Sequence, residues 1–96
     1  MLPPSHKLRE IIEESQFTVE LQEIEPDAIR ADEFVDGAKW VLSRNPEYGT
    51  KIGQLVWFIP MLRSLSEPSM VLYYTFDADR VFLLSIQIAA DEQAEE

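Results

Sequence analysis

Ninety-six residues, 46% of them hydrophobic and ten of them aromatic (Phe 5, Tyr 3, Trp 2), describe one domain with a single modest core, too short for two cores and too apolar to stay disordered. The absence of cysteine excludes a disulfide framework and a thiolate metal centre. A net charge of −10 reverses the Lys/Arg excess on which nucleic-acid binding normally rests.

The acidity is not confined to one end. Residues 91–96 (DEQAEE) hold four acidic groups and no basic one, and residues 17–90 still hold eleven acidic against six basic. An RNA- or DNA-binding role would therefore need a local basic patch working against the overall field. The opening residues, MLPPSHKLREIIEES, lack the apolar core of a signal peptide, and no run is long enough to span a bilayer. A cytoplasmic protein without membrane association is expected.

In chain order, Pro3, Pro4 and Ser5 mark a helix start with Ser5 as N-cap. Leu8, Ile11 and Ile12 follow at helical spacing, so an N-terminal helical extension over residues 1–16 is predicted. Phe17, Val19 and Leu21 then alternate with Thr18, Glu20 and Gln22, the period of a half-exposed edge strand. Pro26 and Asp27 open a second helix, whose apolar face is Ala31, Phe34, Val35, Ala38, Val41 and Leu42. Asn45 suits a left-handed helix stop, and Pro46 cannot continue the helix.

After Gly53 three extended runs are predicted, QLVWFIPML, MVLYYTF and RVFLLSIQI, separated by turn-forming SLSEPS and DAD. The last two lie so close that an antiparallel hairpin follows. Pro60 lacks a ladder donor and belongs at an interruption or an edge. The expected fold class is α+β, helices packed on a small antiparallel sheet. Residues 1–90 would form one domain, and residues 91–96 an acidic tail.

Two stretches, LSRNPEYGTKI and VLYYTFDADRVFLLSI, resemble the RelE/ParE superfamily of type II toxin-antitoxin toxins. The first is similar to that family's helix end followed by Asn-Pro and Gly, the second to its final hairpin with a tyrosine-bearing strand, an acidic turn and an aliphatic last strand. The similarity covers residues 17–89. It implies an initial strand, helical segments and a C-terminal antiparallel meander, here with an extra N-terminal helix and the usual helical hairpin reduced to one long helix. The activity it implies is ribosome-dependent mRNA cleavage that inhibits translation, and the partner it implies is a cognate antitoxin, with the ribosome and its mRNA as target.

Ribonuclease members of the family commonly carry Tyr-Arg ahead of the tyrosine-bearing strand, where this chain has Ser69 and Met70. They also tend to end in basic or aromatic residues, where this chain has Asp91, Glu92, Glu95 and Glu96. Both departures, with the acidic balance, argue against catalysis and favour the alternative of a non-catalytic toxin-fold binding module, either a degenerate toxin or an inhibitor acting by protein contact.

Metal-independent RNA cleavage needs a group to activate the 2′-hydroxyl, a proton donor for the leaving oxygen, and cations for the developing phosphorane charge. The residues at positions matching the family's active surface are Lys51, Arg63, Tyr73, Tyr74 and Arg80. Lys51 and Arg63 would contact phosphate and a tyrosine would donate or stack; the same residues also read as loop charges, a turn arginine and core tyrosines. His6 is the only histidine, which excludes a His dyad or multi-His metal centre. Asp77 and Asp79 read as turn formers rather than cation ligands. No cofactor or metal is expected.

Trp40 lies off the apolar stripe of its helix, near Asp36, Lys39 and Arg44. It reads either as packing against the N-terminal helix or the Tyr48 loop, or as an anchor for a partner. With Leu8, Ile11 and Ile12 it makes up the candidate partner-binding set.

Overall fold

The computed structural model describes residues 8–61 and 69–89. In chain order these form β1 (Glu10–Glu13), α1 (Ser15–Ile24), α2 (Ala28–Arg44), a 3-10 turn (Pro46–Tyr48), β2 (Thr50–Lys51), β3 (Trp57–Met61), β4 (Met70–Phe76) and β5 (Arg80–Ile88). The architecture is α+β, with two helices packed on one five-stranded mixed sheet in the order β1-β5-β4-β3-β2.

Residues 8–24 correct the sequence-based expectation. In place of a helix over Leu8, Ile11 and Ile12, residues 10–13 form a strand, and in place of a strand over Phe17–Leu21, residues 15–24 form a helix. Phe17, Leu21 and Ile24 satisfy a helical i, i+4, i+7 spacing as well as a partial alternation. The decision falls on Val19, which a strand would place beside Phe17 and Leu21 but which is exposed while they are buried. The adjacent β-branched pair Ile11 and Ile12 meanwhile finds a free strand edge, each side chain taking one face. The helix start expected at Pro3, Pro4 and Ser5, His6 and the acidic tail lie outside the described residues.

A second correction concerns the sheet. β1 pairs with β5 in parallel (Ile11 opposite Val81, Ile12 opposite Phe82), while β2, β3, β4 and β5 form an antiparallel meander. A parallel pair needs a crossover connection, and here the crossover contains both helices and three strands.

α2 begins as expected. The Asp27 carboxylate accepts hydrogen bonds from the N–H groups of Ile29 (3.0 Å) and Arg30 (3.2 Å), satisfying two of the four donors a helix N-terminus leaves open. At the other end the Asn45 N–H reaches the Val41 carbonyl at 2.8 Å, but Asn45 has φ −147°, so the left-handed stop expected there does not form. Pro46 instead opens the 3-10 turn, a first-turn position where its missing N–H costs nothing.

β4 and β5 occupy the predicted residues. Between them the register shifts at Tyr73/Tyr74: Tyr73 faces Ser85 whereas Tyr74 faces Leu83, so Leu84 is an extra residue. This β-bulge switches β5's inward positions from Val81 and Leu83 to Ile86. All three are fully buried with Leu72, Tyr74 and Met70 of β4 and with Phe17, Val35 and Leu42 of the helices. Pro60 opposes Val71 in β3, beyond the two residues that β2 pairs, the edge position a missing donor requires.

Candidate functional site

The Asn-Pro-Glu-Tyr-Gly stretch between α2 and β2 is held by one buried side chain. The Tyr74 hydroxyl donates to the Pro46 carbonyl and accepts from the Gly49 N–H (3.1 Å), so one phenol satisfies a donor and an acceptor of the loop. A Cβ on Gly49 would lie 2.5 Å from both the Tyr74 hydroxyl and the Phe58 carbonyl oxygen, so only glycine lets the backbone pass this close. Burial pushes the Tyr74 phenol above its ordinary pKa, partly opposed by the Gly49 N–H.

The β4–β5 corner is built around Asp77. Its carboxylate accepts from the N–H groups of Asp79 and Arg80, both at 2.8 Å, an Asx turn that uses the acidic pair for local structure. These backbone donors hold the Asp77 carboxyl below its usual value, with Arg80 and Arg9 contributing charge. Arg9 donates from Nε to the Asp77 carbonyl at 2.8 Å, and its guanidinium lies 5.6 Å from the Phe76 ring centre.

Of the five residues matched to the family's active surface, the four described ones do not converge. Tyr74 points into the core and is committed to the loop. Its neighbour Tyr73 points to the opposite face of the sheet, against Phe58 (ring centres 6.4 Å apart). Lys51 is exposed on β2 opposite Trp57, hence on the helix-bearing face that Trp57 shares with Tyr74. Arg80 shares the Tyr73 face, but Tyr73 stands opposite Ser85, five positions along β5 and therefore about 17 Å away at the usual strand rise. Arg63 lies outside the described residues.

The partner-binding set also divides. Ile11 packs on the helix-covered core, while Ile12, one residue on, takes the other face. Leu8 is exposed, and Trp40 is 60% exposed with the Arg44 guanidinium 4.0 Å above its ring. Arg44 also donates to the Trp40 carbonyl, so the indole and its cation are presented together.

Trp40 follows an acidic stretch of the chain, while its own half of α2 carries Lys39 and Arg44 and no acidic residue. Residues 10–36 contain ten acidic side chains and one basic, whereas the other described residues contain three acidic and five basic. Among the described residues most of the negative charge therefore lies on β1, α1 and the first half of α2. A cleft of about 330 Å³ between α1 and the start of α2 belongs to this region and is lined by Glu13, Thr18, Leu21, Glu25, Ala31 and Asp32. Among the described residues no three His, Cys, Asp or Glu side chains are grouped to hold a metal ion.

One residue pair escaped sequence reasoning. Glu20 of α1 accepts from the Ser85 hydroxyl (2.6 Å) and the Ile86 N–H (3.0 Å) at the β5 bulge. Partial burial raises its carboxyl pKa, but these bonds, with Gln16, outweigh that and leave it below the ordinary value. No local signal marks the pair, because Glu20 reads as the polar side of a strand and Ser85 as an interruption in an aliphatic run.

Among the described residues no helix is long and apolar enough to cross a membrane. Compared with known proteins, the chain matches no family model and no curated sequence.

Proposed function

We propose that this chain is a non-catalytic binding module on a RelE/ParE-like toxin fold, acting by protein contact through its acidic helical layer. The observation that carries the reading is Trp40, a large aromatic side chain 60% exposed beside Arg44, on a helix whose first half, with β1 and α1, is strongly acidic. Partly exposed Trp and Arg residues are the usual anchors of protein interfaces, and the acidic surround selects a Lys/Arg-rich partner. A segment of antitoxin type is the partner the family resemblance suggests. The order of initial strand, two helices and antiparallel meander supports that resemblance. The scatter of Lys51, Tyr73, Tyr74 and Arg80 over two faces and the core supports a role without catalysis.

The test is controlled expression in a bacterial host with translation followed by radiolabel over the first minutes, paired with a binding titration. Translation is expected to continue, and a Lys/Arg-rich amphipathic peptide is expected to change the Trp40 emission, identified by its loss in Trp40→Phe, with affinity falling as salt rises. A rapid stop in translation with cut mRNA, abolished by Lys51→Ala in a folded protein, would overturn the reading. It would establish the second one, ribosome-dependent RNA cleavage, which is favoured by the Tyr73–Phe58 pair as a surface on which bases stack.

A further inference from the structure

Both helices cover the same face of the sheet. The other face carries Ile12, Phe58, Val71, Tyr73, Phe82 and Leu84, all half-buried. The register places them together: Phe58 opposite Tyr73, Ile12 opposite Phe82, Phe82 opposite Thr75. In a chain with 26 charged residues, the strand positions of this face include only two, Glu10 and Arg80, and these oppose each other in register. Among the described residues this face is thus open, apolar and electrically neutral.

We infer that this face is a docking surface for a second copy of the same chain, the two sheets stacking face to face. The charge distribution selects the occupant. Any association through the helical layers would set one strongly acidic surface against another, whereas stacking the neutral faces turns those layers outward. With stacked sheets about 10 Å apart and a helix layer about 10 Å beyond each, the acidic layers stand roughly 30 Å apart, against a Debye length of about 8 Å at physiological salt. A basic partner has the opposite preference, for the acidic layer and not for this face.

The size of the face sets the strength of the association. Five strands spaced about 4.8 Å, the longest about 30 Å and the others shorter, form a patch that buries on the order of 1,000 Å² in a pair, the lower limit for a specific interface. The dimer is therefore weak and concentration-dependent. It would present two Trp40-bearing layers on opposite sides, making the module bivalent. The inference does not depend on the proposed function, since the dimer uses the face that the Trp40 layer does not.

Sedimentation equilibrium of the full chain from about 1 µM to 1 mM tests this. The mass is expected to rise from 11.1 kDa toward twice that value, with a dissociation constant that changes little as salt rises above physiological strength, because the acidic layers stand several Debye lengths apart. Tyr73→Lys and Leu84→Lys, made separately, are each expected to weaken association tenfold or more, and Trp40→Ala to leave it unchanged. In the wild type, a soluble paramagnetic probe is expected to lose access to the methyl groups of Val71 and Leu84 as concentration rises, while Val19 and Ile29 stay accessible. A single 11.1 kDa species throughout would overturn the inference, as would protection of Val71 and Leu84 at every concentration, which would mean that the chain covers its own face. Association lost in Trp40→Ala but kept in both lysine variants would overturn it as well.

Discussion

The two faces of the sheet share the same strands and nearly the same composition, yet they are solved differently. Tyr73 and Tyr74 make the contrast plain: the second is fully buried and bonded to Pro46 and Gly49, while the first lies half-buried beside Phe58. Near-continuous apolar runs such as β4 and β5 are the pattern of strands covered on both sides, but among the described residues α1 and α2 supply only one layer. Strand chemistry alone therefore does not determine coverage. The number of layers the chain can build does, and a face left over is a surface open to association.

The largest test of this contrast is a pair of truncations. Leu83→Ala on the helix-covered face is expected to cost about 2–5 kcal/mol, while Leu84→Ala, one residue on, is expected to cost under about 1 kcal/mol at micromolar concentration. Denaturant unfolding reads both, and equal losses would break the comparison. The loop clamp comes next. Tyr74→Phe leaves the Pro46 carbonyl and the Gly49 N–H without their partner and should cost about 1–3 kcal/mol, whereas Tyr73→Phe should stay within about 0.5 kcal/mol. Gly49→Ala is expected to cost a similar amount, about 1–3 kcal/mol, because a Cβ there displaces backbone as well as the phenol.

A smaller effect has the opposite sign. Gly37 lies mid-helix, and an alanine methyl there would meet nothing within 4 Å, so Gly37→Ala should stabilise the fold by about 0.5–1 kcal/mol, read as a raised Tm. The subtlest test is acid titration. Glu20 and Asp77 have lowered carboxyl pKa values, so their contribution is complete above the unfolded-state values near about 4 and is lost as pH falls through the lower folded-state values. Thermal melts should show this decline below about pH 4, and Glu20→Gln with Asp77→Asn should make the acid limb shallower.

Much of the fold is legible in residue patterns. β4, β5 and α2 fall where Val/Ile/aromatic runs, turn residues and the Asp27 cap put them, and Pro60 sits at an edge. Residues 8–24 mislead because Phe17 and Leu21 fit both periods, and the choice depends on β5 offering an edge to Ile11 and Ile12 from far along the chain, beyond any local window. The loop clamp is half legible: Asn45, Pro46 and Gly49 stand out, but their partner Tyr74 reads only as one tyrosine of two. The distribution of Lys51, Tyr73 and Arg80 over different places follows from strand register and from the bulge at Leu84, which no spacing along the chain announces.

The pairing of β1 with β5 also dictates an order of events during synthesis. The strand of residues 10–13 and the helix of residues 15–24 both dock on β5, which is made last among the described elements. Until it emerges, Phe17 and Leu21 lack the strand they chiefly pack against, and the ten-residue α1 is marginal on its own in water. The N-terminal half must therefore wait, and closure joins segments separated by most of the described chain, a non-local step that slows folding. A translating ribosome would hold this protein unfinished until almost the last residue of β5 had cleared, and then release it to fold in a single cooperative event.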